Sequence, residues 1–197
     1  MTELRDRVLS IVVERGHEEL DDPVQLSSGE LSSHFVDAKK ALARGTDLAL
    51  ACRALLERVE LAGIEFDAVG GLTLGADQFA HGAAIVGDKD WFVVRKARKG
   101  RGTNKLVEGA ELSSGVRVLL VDDIVTTGGS IRQAYEAIGE TGAEVVAAVT
   151  LVDRGDSAVE FFAEVGVPYF PLLTYQDLEI PPVGYGLEEL EEKAPTG

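Results

Sequence analysis

The stretch Val118-Leu119-Leu120-Val121-Asp122-Asp123-Ile124-Val125-Thr126-Thr127-Gly128-Gly129-Ser130 decides the fold, because an apolar strand runs into two carboxylates and then into a loop of small residues that opens a helix. Short side chains let successive backbone N–H groups of the loop turn inward around an anion. The following helix, Ile131 to Ile138, adds the positive end of its dipole. The two aspartates stand at the strand's carboxyl end, where an open α/β sheet presents its ligand, and they suit ribose hydroxyls or an ion bound with them. Thr-Gly-Gly-Ser alone also fits an ordinary turn with a serine cap, but strand, acid pair, loop and helix in this order make a phosphate-and-ribose cradle.

Outward from this core, apolar patterning predicts strands at 68–70, 91–95, 116–121, 144–152 and about 168–173. Helices are predicted at 47–62, 77–86, 129–140 and 157–165. Alternating strands and helices imply an α/β fold with a mainly parallel twisted sheet flanked by helices on both faces. A chain of 197 residues with 45% hydrophobic composition fits one such domain and its core. The single cysteine, Cys52, lies in a helical run and is expected as a packed core residue. The histidines His17, His34 and His81 lack the paired spacing of a transition-metal centre.

Asp and Glu number 34 against 19 Lys and Arg, a formal charge of −15, which disfavours attraction to nucleic acid or an anionic membrane. The charged start and the lack of a long apolar run predict neither signal peptide nor membrane span, hence a cytoplasmic protein. So acidic a surface is compatible with a salt-rich cytoplasm, where repulsion is screened, and a halophilic origin is expected on that ground. Against this background five cations fall within seven residues, Arg95-Lys96-Ala97-Arg98-Lys99-Gly100-Arg101, followed by glycines that permit a mobile lid.

The 118–130 string resembles the 5-phosphoribosyl-1-pyrophosphate (PRPP) signature of the type I phosphoribosyltransferases. The resemblance implies that Asp122 and Asp123 contact the ribose hydroxyls, and that Ile124, Val125, Thr126, Thr127, Gly128, Gly129 and Ser130 form the loop that grips the 5′-phosphate. Four further segments are similar to those of the orotate branch of this family. Leu26-Ser27-Ser28-Gly29 through Asp37-Ala38-Lys39-Lys40 looks like its amino-terminal signature, part of a hood over the base, with Ser27 where many relatives have lysine. Val69-Gly70-Gly71-Leu72-Thr73-Leu74-Gly75-Ala76-Asp77 resembles its pyrophosphate loop, without the lysine that some relatives place there.

The basic run resembles the catalytic loop Arg-Lys-x-x-Lys-x-His-Gly: Arg95, Lys96 and Lys99 match, and Arg101 stands in the histidine's place. Arginine stays charged where histidine titrates, so Arg101 can clamp pyrophosphate but not donate a proton in the usual way. Finally, Asp153-Arg154 is either a surface ion pair or, by resemblance, the dipeptide whose arginine binds the orotate carboxylate with a planar fork, Thr126 being the other orotate contact.

The resemblance implies one phosphoribosyltransferase domain over 1–197, with a small hood subdomain from about 1–45 plus the C-terminal segment and a core of about 46–175. Lys99, Arg101 and Asp123 are the implied catalytic groups, and Arg95, Lys96, Lys99 and Arg101 the cations that bind PRPP. Mg²⁺ would arrive with PRPP rather than on protein side chains, and a homodimer with shared active sites is expected. The implied reaction converts orotate and PRPP to orotidine 5′-monophosphate and pyrophosphate. Two alternatives stand beside it: a phosphoribosyltransferase for a purine, against which Arg154 weighs, and a non-catalytic PRPP-binding regulator, motivated by Arg101 and the absent lysines.

Overall fold

A computed structural model describes residues 2–26, 29–98 and 105–183. Its centre is a six-stranded sheet, built from β3 (Ala68–Leu72), β4 (Asp90–Val94), β5 (Val107–Gly109), β6 (Arg117–Val125), β7 (Glu144–Asp153) and β8 (Tyr169–Thr174). The spatial order is β5-β4-β3-β6-β7-β8, with only β5 antiparallel to its neighbour. The apolar runs of β6 and β7 follow from burial on both faces. Leu119 and Val121 join one core cluster with Val149 and Leu151, while Val118 and Leu120 join the other with Ala148.

Helices α3 (Gly45–Leu61) and α4 (Asp77–Gly87) cover the first face, and α5 (Gly129–Gly139) and α6 (Ser157–Val165) the second. In α3, Leu48, Cys52, Leu55, Leu56 and Val59 recur at helical spacing, and all but the partly buried Leu48 are fully or nearly fully buried. Burial pushes the Cys52 thiol up to about 12, so it packs as a neutral apolar group. Among the described residues no helix is long and apolar enough to cross a membrane.

The amino-terminal part carries elements beyond those that apolar patterning predicts. Helix α1 (Glu3–Arg15) starts under Thr2, whose Oγ1 accepts from Arg5 N at 3.4 Å, and buries only Val8 and Val12. Leu4, Leu9 and Ile11 pack partly buried against the same core as Val8 and Val12, so the helix docks by an apolar stripe set among charged residues. Strands β1 (His17–Gln25) and β2 (Leu31–Val36) pair antiparallel in a separate hairpin, although β1 is rich in Asp and Glu. Helix α2 (Ala38–Ala41) follows, capped by Asp37, whose Oδ1 accepts from Lys39 N at 2.9 Å and Lys40 N at 3.1 Å. Ala38, Ala41 and Leu42 belong to the same core cluster as α3.

Candidate active site

The sequence places the two aspartates just past a strand ending at residue 121; instead β6 runs through them to Val125, because β7 keeps pairing with it as far as Val125 opposite Asp153. The acid pair is therefore held on a rigid ladder. Asp122 Oδ1 accepts from Asp123 N at 3.0 Å, and Asp123 Oδ1 from Ile124 N at 2.8 Å. Burial, and then the charge of Asp123, raise the Asp122 carboxyl well above the usual carboxylate range. Asp123 Oδ2 faces Lys39 Nζ at 3.3 Å.

After β6 the chain turns through Thr126 and Thr127 to Gly128, which adopts φ +76° and caps α5 without a side-chain hydrogen bond. That geometry needs glycine. The first N–H groups of α5 consequently have no side-chain cap, the condition for anion binding at a helix N-terminus. A cavity of about 300 Å³ lies against them, lined by Thr126, Thr127, Gly128, Gly129 and Ser130, with Val125 beside them.

A larger cavity of about 470 Å³ adjoins it, and Lys96, Asp122, Ile124, Thr126 and Ser130 line both. Its further walls are Thr73–Gly75 after β3, Asp123, Arg154, and, from the hairpin and α2, Phe35 and Lys39. A Cβ at Gly75 would meet the Asp123 carboxylate as it stands, so the loop packs directly against that side chain. Gly71 likewise lies against the Val121 carbonyl, which lets β3 approach β6 closely.

Arg154 and Asp153 are both 1% exposed, so they form no surface pair. Asp153 accepts from Gly155 N at 3.1 Å and from the Tyr169 hydroxyl at 2.8 Å. Arg154 instead reaches the hairpin, where Nη1 donates to the His34 carbonyl at 2.8 Å and Nη2 to Ser32 Oγ at 3.5 Å. Its Nε is buried with no hydrogen-bond partner among the described residues. The guanidinium thus stands at the wall of the larger cavity, tied to the hairpin through its two Nη atoms.

Of the basic run, Lys96 lines both cavities and its carbonyl accepts from Gln133 Nε2 at 2.9 Å. Arg95 turns aside to Glu108, Nη1 to Oε1 at 3.1 Å, and Arg98 pairs with Glu140. Lys99 and Arg101 lie outside the described residues, as does Ser27. Sequence spacing does not bring His17 to His34, yet the hairpin sets His17 Nε2 3.1 Å from His34 Nδ1. It also singles out no role for Lys39; the Asp-x-Lys of the amino-terminal signature is the only signal pointing to it.

Residues 39–162, well over half of the chain, match the family described as a phosphoribosyl transferase domain. Orotate phosphoribosyltransferase of Streptomyces coelicolor is 43% identical over 175 residues, covering 86% of this chain and 93% of that protein. The same enzyme of Pyrococcus furiosus is 39% identical over 153 residues, covering 78% and 84%. This chain belongs to the orotate phosphoribosyltransferase family. The crystal structure of the Mycobacterium tuberculosis orotate phosphoribosyltransferase in complex with PRPP superposes with a TM-score of 0.74 at 35% identity, covering 90% of this chain and 99% of that one. The fold is the type I phosphoribosyltransferase fold, a mixed and mostly parallel sheet between helices.

Proposed function

We propose that this protein transfers the 5-phosphoribosyl group of PRPP to orotate, giving orotidine 5′-monophosphate and pyrophosphate in pyrimidine biosynthesis. The observation that carries this reading is a pair of adjoining cavities that join an uncapped helix N-terminus, the Asp122–Asp123 pair and the Arg154 side chain. Those three features complement a 5′-phosphate, a ribose diol and a base carboxylate. Backbone N–H groups of residues 126–130 hold the phosphate, Asp122 and Asp123 the ribose hydroxyls, and Arg154 with Thr126 the orotate.

Orotate nitrogen attacks C1 as the C1–pyrophosphate bond breaks, so no side-chain nucleophile is required. Positive charge grows on the ribose and negative charge on the leaving group, and fixed charges on the two sides stabilise the transition state selectively. Lys96 lines both cavities to meet the developing anion, and Lys99 and Arg101 are the further cations of the same basic run. Arg101 acts as a permanent cation, not as a proton donor. Water competes for the ribosyl cation and must be kept from C1 during transfer.

Among the described residues no three His, Cys, Asp or Glu side chains cluster to cage a metal. The Asp122 and Asp123 carboxylates would be the protein groups to hold a Mg²⁺ that arrives with PRPP. Bound there, Mg²⁺ would neutralise pyrophosphate charge. We further read the molecule as a cytoplasmic homodimer with shared sites, the β1–β2 hairpin serving as hood.

The test is pyrophosphate release from PRPP and Mg²⁺ with orotate, uracil, adenine and hypoxanthine. Orotate should be preferred, and Arg154→Ala should raise the orotate KM by roughly 10–100-fold with PRPP affinity unchanged. A purine turned over as fast as orotate sinks the base assignment, and PRPP binding without release from any base favours the regulator.

A further inference from the structure

A leaving pyrophosphate needs cations, and the loop after β3, Thr73-Leu74-Gly75-Ala76, carries none. Nor is there room for a side chain at Gly75, whose Cβ position is taken by the Asp123 carboxylate. A cation on another element lines the same cavity as this loop. Lys39, on α2, has its backbone N fixed by Asp37 and its side chain 55% exposed, with Nζ 3.3 Å from Asp123 Oδ2. The cavity's other cations are placed differently: Lys96 sits where the two cavities meet, and the Arg154 guanidinium is engaged with Ser32 and His34.

We propose that Lys39 is a pyrophosphate-binding residue, supplying from the hood side the charge that the 73–76 loop lacks. The inference rests on the phosphoribosyltransferase reading above. In the structure Asp123 is the partner of Lys39. A ribose diol donating to that carboxylate competes for the same oxygen, and Nζ then turns to the nearest remaining anion, the pyrophosphate on the same molecule. One carboxylate thus couples the two recognitions, so that a ligand carrying ribose and pyrophosphate together draws on Lys39 and one carrying ribose phosphate alone does not.

The experiment titrates the full chain calorimetrically with PRPP, Mg²⁺-pyrophosphate and ribose 5-phosphate, comparing wild type, Lys39→Met and Lys39→Arg. Loss of one charge-assisted hydrogen bond should raise the Kd of Lys39→Met for PRPP about tenfold, while Mg²⁺-pyrophosphate, which leaves Lys39 paired with Asp123, and ribose 5-phosphate each change by about twofold at most. Lys39→Arg should keep most of the affinity. Thermal melts check folding, and Lys39→Gln replaces Lys39→Met if the methionine lowers Tm. An unchanged PRPP Kd overturns the inference, and so does an equal loss for ribose 5-phosphate, which would reduce Lys39 to positioning Asp123. Wild type that binds PRPP normally but never converts orotate would defeat the proposed function and leave this inference standing; wild type that binds neither PRPP nor pyrophosphate defeats both.

Discussion

At Asp153 the fold works against ionisation. Its oxygens are satisfied by Gly155 N and the Tyr169 hydroxyl, which in turn meets Thr150 Oγ1 at 2.8 Å, yet burial pushes the carboxyl up to about 6. A folded value above the ordinary 3.8 means that the protonated form is favoured in the fold, so this contribution is full below about pH 4 and lost as pH rises through about 6. Asp153→Asn, which keeps the shape without the charge, should therefore raise Tm at pH 7.5 by about 2–6 °C relative to wild type, with the gain vanishing near pH 4. Melts showing the same difference at both pH values would contradict this. Asp67 has the opposite sign: hydrogen bonds from Arg117 hold it down at about 2, so its contribution is present above 3.8 and is lost only as pH falls toward 2.

Strand β3 and the loop after it show two different uses of glycine. Gly71 lies in the strand, and a Cβ there would meet the Val121 backbone carbonyl and the Ala76 methyl, neither of which can move without distorting the sheet. Gly75 lies in the loop, and its obstacle is the Asp123 side chain, which can rotate. Gly71→Ala should therefore cost about 3 kcal/mol or more of stability, whereas Gly75→Ala should fold with little change in Tm but lose PRPP affinity by about tenfold. Denaturant melts combined with PRPP titration separate the two, and equal stability losses would refute the distinction. The same element carries the site's placement, because β3 and β6 end side by side in the parallel sheet and bring Thr73–Gly75 against Asp123.

Over the whole molecule, 34 carboxylate residues against 19 Lys and Arg leave a net −15, and several cations are already tied in surface pairs, among them Arg117 with Glu65 and Asp67, Arg95 with Glu108, and Arg15 with Asp47. Exposed pairs of this kind contribute little each, so screening them costs less than screening the repulsion among the excess acids gains. Tm should rise by roughly 3 °C or more between 0.1 and 2 M KCl, with activity retained. A fall in Tm over that range would remove the case for a salt-adapted surface.

The sequence by itself determined the alternation of strands and helices in the core, the small-residue turn at 126–130 that opens α5 and the burial of Cys52, because each depends on local chemistry: apolar period, small residues after a strand, a thiol on a helix's inner face. Tertiary structure alone decided the rest. That β6 continues through Asp122 and Asp123 depends on pairing with β7, and that the acidic segment His17–Gln25 becomes a strand depends on β2, partners that no local pattern reveals. The joining of Arg154 to His34, 120 residues away, and of Asp123 to Lys39, 84 residues away, depends on the hairpin and α2 folding over the sheet's carboxyl edge. A charge in a sequence shows that a contact is affordable, but only the packed chain selects which of the distant opposite charges shares its cavity.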